Sequence, residues 1–152
     1  MHVIDEIVIY GSNTDEMVDE ILQRYREHQV TIYPDPASKQ RKTSAGGRTD
    51  LSILQNAGFR VKLRNSHPPV RDRINSVNSK LMSSTGQRTL LVDPKCKQVI
   101  SSLERQTYKE GTSQPNKEDG FDHMNDALGY AIEYLFPIRK ERTTEQPTRW
   151  TA

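Results

Sequence analysis

The sequence predicts an α/β domain with a largely parallel sheet, and three observations carry that prediction. Short apolar runs at residues 3–10, 30–33, 59–63 and 88–93 alternate with longer stretches of helical periodicity. Turn residues such as Gly, Pro, Asn and Asp punctuate the chain between them. Strands separated by helices in this order return parallel. The third observation is a thin core: Leu, Ile, Val and Phe make only 32 of 152 residues, so either long solvated loops dilute it or part of the sheet lies outside this chain.

Each element has its own warrant. Residues 3–10 alternate Val3, Asp5, Ile7, Ile9 against Ile4, Glu6, Val8, Tyr10 and are expected as a strand that GSNT stops. Asn13 or Thr14 caps the next helix, whose first turn carries Asp15 and Glu16 and whose stripe is Met17, Ile21, Leu22 and Tyr25, running to His28. Residues 30–33 form a strand broken at its exit by Pro34 and Pro36. The helix at 49–58 closes on Gly58, and a strand at 59–63 follows. Val70, Ile74, Val77 and Leu81 predict a helix over 70–82, before a strand at 88–93. Asp93 and Pro94 open a helix over 94–106 as N-cap and first residue. Residues 107–120 read as a polar loop, and 122–135 as a last helix with Met124, Ala127, Leu128, Ala131, Ile132 and Leu135 on its core side. A polar tail follows from 136.

A formal charge of +2 is too small to argue for nucleic acid, so any basic footprint is local. The single cysteine, Cys96, excludes an intrachain disulfide and a zinc set and suits an intracellular protein. No apolar run approaches the ~20 residues of a membrane helix, and no signal-peptide pattern opens the chain, so it reads as soluble.

The most informative stretch is DHMNDALGY at 122–130, which puts His123 and Asp126 on one helix face. Alone, such a pair is more often a solvated, dipole-favoured first turn. In a parallel α/β sheet the chemistry sits at the carboxyl ends of strands. Asp35 is at that address, with a turn aspartate between prolines as its competing reading. Together Asp35, Asp126 and His123 offer hard oxygens and an imidazole suited to Mg²⁺ or Mn²⁺. Beyond Asp35 lie Lys39, Arg41, Lys42 and Arg48, either phosphate contacts or a solvated loop. Glu6, Asp119 and Asp122 are secondary candidates, and His67, before Pro68 and Pro69, reads as a turn residue.

The order of these motifs resembles a known family. The nuclease domain of the large terminase subunit of tailed bacteriophages, an RNase H-like three-layer fold, has a strand ending in an acid and followed by a small and basic loop, here YPDPASKQRK. It also closes with a D-H-x-x-D-A-x-x-Y helix, here 122–130. HVIDEI with SNTDEMVDEILQRY is similar to its third strand and first helix, and VRDRINSVNSKL to a later helix, so the resemblance spans residues 2–135.

The resemblance implies that Asp35 is the second catalytic acid, Asp126 the third and His123 an accessory ligand. It also implies double-stranded DNA as substrate, cut as concatemers during genome packaging, with two Mg²⁺ or Mn²⁺ ions in the intact site. Its other implied partners are the ATPase domain, the small terminase subunit and the portal, in the cytoplasm of a bacterial host. The family's first acid lies on a strand before the segment matched by residues 3–10, and no GxxxxGK[ST] phosphate loop occurs. The expectation is a partial nuclease domain at 1–136 without its first two strands, a polar tail at 137–152, and weak or absent cleavage. Self-association through the exposed sheet edge is expected with it. The competing functions are an inactive remnant that binds DNA or the portal, and another RNase H-like enzyme such as a resolvase or transposase.

Overall fold

The computed structural model describes residues 1–41, 47–112, 114–118 and 120–138. Lys42, Asp119 and the tail from 139 lie outside them. Among the described residues four strands and five helices follow in chain order, alternating up to α4: β1 (His2–Val3), α1 (Thr14–Arg24), β2 (Thr31–Ile32), α2 (Asp50–Asn56), β3 (Arg60–Val61), α3 (Val70–Leu81), β4 (Leu91–Val92), α4 (Lys97–Arg105) and α5 (Asp122–Leu135). A short 3-10 helix, Pro36–Lys39, follows β2. The α/β alternation is therefore present, and both pairs of described strands are parallel, with isolated antiparallel bridges at Arg41–Thr49 and Tyr108–Pro115.

The strands pair two by two instead of forming one sheet. β1 pairs β4, in register His2 with Leu91 and Val3 with Val92, and β2 pairs β3, Thr31 with Arg60 and Ile32 with Val61. No ladder joins the two pairs among the described residues. The carbonyls of Met1 and Val3 accept from the amides of Leu91 and Asp93, which leaves His2 and Ile4 facing the other edge of β1.

Each pair collects its own apolar cluster. Val18, Ile53, Leu54 and Phe59 are buried around β2 and β3, with Ile21, Val30, Ile32 and Val61 packed on them. Val77, Leu90 and Ile132 are buried around β1 and β4, with Val3, Leu81, Leu103 and Leu128 beside them. The scarce apolar residues thus serve two small cores.

Polar and aromatic contacts join the halves. Arg64 donates from Nε and Nη2 to the Glu133 carboxylate at 3.0 Å each, and its guanidinium lies 5.1 Å over the Tyr134 ring. Tyr33 packs on Tyr134 at 5.3 Å. On the far side, the Tyr25 hydroxyl donates to Asp5 at 2.7 Å. This hydrogen bond is the main reason that Asp5 titrates below its ordinary value, with Arg24 and Lys95 adding to it.

Several expected boundaries move. Asn13 does cap α1, in a reciprocal capping box with Glu16. Of the strand expected at 3–10 only Val3 is paired, with His2 before it, because among the described residues β4 alone lies alongside; Ile4 is 57% exposed and Tyr10 86%. The helix expected from Pro94 begins at Lys97, because the Asp93 carboxylate and carbonyl close a separate turn on the amides of Lys95 and Cys96. Cys96 is fully buried, and burial raises its thiol pKa, which favours an inert packing residue over a reactive one.

The core face of α5 also differs. Gly129, Ile132, Glu133 and Asp122 are buried, whereas Leu135 is 44% exposed and Ala127 is exposed. The helix packs chiefly on α3, where a Cβ built on Gly129 would meet Arg73 Cβ at an ordinary contact distance of 3.5 Å.

Candidate functional site

Asp35 leaves β2 through Pro34 and caps the 3-10 helix, its Oδ1 accepting from the Ala37 amide at 2.8 Å. His67 Nδ1 lies 3.2 Å from the same oxygen. The other oxygen, Oδ2, accepts from the Tyr130 hydroxyl at 2.9 Å, across 95 positions of sequence. Tyr130 stays a donor over the whole physiological range. Burial first, and the bond to Asp35 second, push its pKa up to about 12.

One helical turn before Tyr130, on the same face of α5, stands Asp126. Its Oδ1 accepts from Arg73 Nη1 at 2.5 Å, and its Oδ2 is 3.9 Å from Lys117 Nζ. Arg73 is 6% exposed and stacks 4.3 Å over the Tyr130 ring. Asp35, Tyr130, Arg73 and Asp126 therefore form one connected network, with α5 as its spine.

The remaining expected residues divide. His123 is exposed on the first turn of α5, and among the described residues no group of three His, Cys, Asp or Glu side chains converges as a metal-holding set. Glu6 is occupied elsewhere: its two carboxylate oxygens accept from the amides of Gln98 and Val99 at 3.0 and 2.9 Å, supplying the anion that the N-terminus of α4 favours. Asp122 is 5% exposed, with Lys117 Nζ 3.4 Å from its Oδ2. Of the basic loop, Lys39 donates to the Arg64 carbonyl at 3.4 Å, Arg41 bridges Thr49, and Arg48 pairs with Asp15 at 3.1 Å.

Sequence reasoning missed three contributors. Arg73 had a signal, since it falls on the α3 face that carries Val70, Ile74 and Val77, and a charge on an apolar stripe is the informative kind of burial. Tyr130 lay inside the quoted motif without a role. His67 had no signal. A second basic surface was also missed: Arg71, Lys109 and Lys117 line a cleft of about 540 Å³ that reaches Arg73, Asp122 and Asp126.

Neither the curated proteins nor the solved structures contain a match to this chain. A family model described as the terminase RNase H-like domain does match, over residues 6–135. With most of its length covered and the two acids drawn into one network, the chain belongs to the terminase RNase H-like domain family.

Proposed function

We propose that this domain is the nuclease part of a phage or prophage terminase, cutting concatemeric double-stranded DNA during genome packaging. In this reading Asp35 and Asp126 hold Mg²⁺ or Mn²⁺. The observation that supports it most is the Tyr130–Asp35 hydrogen bond, which ties the acid after β2 to the helix that carries Asp126.

The donor set suits a small, hard cation. A carboxylate offers about four lone-pair positions, and among the described residues Oδ2 of Asp126 has only Lys117, at 3.9 Å. When bound, the divalent ions of such a site activate water and stabilise the leaving oxygen. The chain's own residues do the rest. Tyr130 and His67 fix Asp35 from two sides, Arg73 fixes Asp126, and Arg71, Lys109 and Lys117 supply cations for backbone phosphates. A bridging acid, the ATPase domain, the small subunit and the portal belong to the same proposal as partners of the assembled machine. Self-association through the outer edge of β1 belongs to it too.

The test is Mn²⁺ binding followed by electron paramagnetic resonance, beside Mn²⁺-dependent nicking of plasmid DNA. Asp35→Asn and Asp126→Asn should each weaken Mn²⁺ binding; unchanged affinity in both would overturn the site. A second reading has its own support, because Arg73 and Lys117 neutralise Asp126 and no third ligand converges among the described residues. There the domain binds DNA without cutting, and nicking abolished by Asp126→Asn would decide against it.

A further inference from the structure

Asp126 meets two cations of different character. On Oδ1 stands Arg73, 6% exposed and stacked on the Tyr130 ring, a partner that the packing of α3 on α5 holds in place. On the side of Oδ2 stands Lys117, its Nζ 3.9 Å away and its side chain 63% exposed. The same ammonium lies 3.4 Å from Oδ2 of Asp122, a residue 5% exposed. One solvent-facing lysine thus serves two carboxylates, one of them a proposed metal ligand.

The chain around Lys117 fixes its root and leaves its tip free. The Asn116 amide donates to the Thr107 carbonyl at 2.8 Å, and the Asn116 carbonyl accepts from Gln106 Nε2 at 2.6 Å. Asn116 Oδ1 accepts from the Glu118 amide at 3.2 Å, closing a turn with Lys117 at its centre. Beyond that turn the lysine has a flexible stem and a compact ammonium, with no planar fork to lock it in one geometry. It lines the cleft that also holds Arg71 and Lys109, so a backbone phosphate entering there competes with Asp122 and Asp126 for the ammonium. Departure of the lysine carries a cost. Asp122 is buried, and among the described residues Lys117 is the cation paired with it. That cost is offset where a divalent ion replaces the ammonium, so loss of the lysine to phosphate and entry of metal favour each other.

We propose that Lys117 is an exchangeable counter-ion, which holds the place of a divalent ion at Asp126 until a DNA phosphate draws it off, so that metal and DNA bind cooperatively. The inference rests on Asp126 as a metal ligand and adds an order of assembly to that reading: the free domain binds metal weakly, and the DNA-bound domain tightly. Linkage makes the coupling reciprocal. Even in bulk water a unit charge about 4 Å from another is worth about fivefold in a binding constant; the double charge of the ion raises that factor and salt lowers it again, which leaves about tenfold.

The experiment titrates Mn²⁺ into the full chain, reading free Mn²⁺ by electron paramagnetic resonance, with and without a short DNA duplex whose own Mn²⁺ uptake is subtracted. In the wild-type chain the duplex should tighten Mn²⁺ binding about tenfold. Without DNA, Lys117→Gln should already bind Mn²⁺ about tenfold tighter than wild type, and the duplex should add little to it. Lys117→Arg keeps the charge and should stay close to wild type, which separates electrostatics from a structural effect of the substitution. Thermal melting verifies that both variants fold. A duplex that leaves wild-type Mn²⁺ affinity unchanged, or equal gains from the duplex in wild type and Lys117→Gln, would overturn the counter-ion and leave the nuclease reading standing, provided that Asp126→Asn still weakens Mn²⁺ binding. Affinity untouched by both Asp126→Asn and Asp35→Asn would overturn the metal site on which the inference rests.

Discussion

Replacing Asp126 by alanine tests more than chemistry, because the carboxylate is also the ionic partner of a buried arginine. Arg73 has a side chain 7% exposed, and its Nη1 donates to Asp126 Oδ1 at 2.5 Å. Removing one member of a buried pair costs about 3–5 kcal/mol, since the other charge is left without compensation. Two features lower the figure here. Asp126 is 34% exposed, so water reaches the vacated place, and the Tyr130 ring 4.3 Å away retains part of the attraction, worth about 0.5–2 kcal/mol. Asp126→Ala should therefore lose about 2–3 kcal/mol. At about 2–4 °C per kcal/mol for a chain of this size, the melting temperature should fall by about 4–12 °C. Asp126→Asn keeps a neutral acceptor and should lose about 1 kcal/mol, which makes it the cleaner probe of the proposed nuclease role. Urea unfolding followed by circular dichroism gives the values, and Arg73→Met in a double-mutant cycle isolates the pair. A loss below about 0.5 kcal/mol in Asp126→Ala, with no coupling to Arg73→Met, would refute the claim that this pair fastens α3 to α5.

Tyr130, raised from 10.0 to about 12, favours the folded state fully below pH 10, and that contribution is lost as pH rises from 10 toward 12. Urea midpoints of wild type and Tyr130→Phe should therefore converge above pH 11, and a constant gap would refute the assignment. For DNA, alanine at Lys39, Arg41 and Lys42 and alanine at Arg71, Lys109 and Lys117 should each lower the salt slope of binding by up to about 0.9 per lost phosphate contact; a set that leaves slope and affinity unchanged is ordinary surface. Gly129→Ala should stabilise by up to about 1 kcal/mol through helix propensity, because the new Cβ meets Arg73 Cβ at an ordinary 3.5 Å; a lowered melting temperature would show that the α3–α5 contact admits no methyl. Arg64→Ala should cost more than Glu133→Gln, because it strands a carboxylate 10% exposed, whereas Arg64 itself is 38% exposed and rehydrates. Equal losses in urea unfolding would place the pair in water-like surroundings.

What was legible in the sequence was whatever local pattern determines. The bounds of α5 and α3 follow from helical spacing, and the start of α1 from a cap at Asn13 or Thr14, of which the structure selects Asn13. Alternation at 3–10 misled because alternation states which faces a strand would have, whereas a ladder needs a partner, and only His2–Val3 lies along one. Asp93 and Pro94 carried a good helix-start signal, but the anion at the α4 amides comes from Glu6, 92 positions away for Gln98. At the candidate site, the two acids stood out through their short motifs. Their partners did not, because the meaning of Arg73 and His67 exists only once α3 and the turn before it lie against α5 and the end of β2.

The two half-cores explain why the site sits where it does. Asp35 belongs to the β2–β3 half and Asp126, on α5, to the β1–β4 half, so their relative position is set by what joins the halves. On the side of the two acids that joint is polar and aromatic: Arg64 with Glu133, Tyr33 with Tyr134, and Tyr130 with Asp35. Such contacts add little net stability compared with apolar packing, but their directionality restricts how the two halves can dock. All three run through α5, at Tyr130, Glu133 and Tyr134. The helix that carries one acid thereby fixes the distance to the other. On the proposal that Asp35 and Asp126 hold the metal, a substitution at Arg64 or Glu133 should therefore alter metal affinity without touching either acid, whereas one in either apolar cluster should alter stability first.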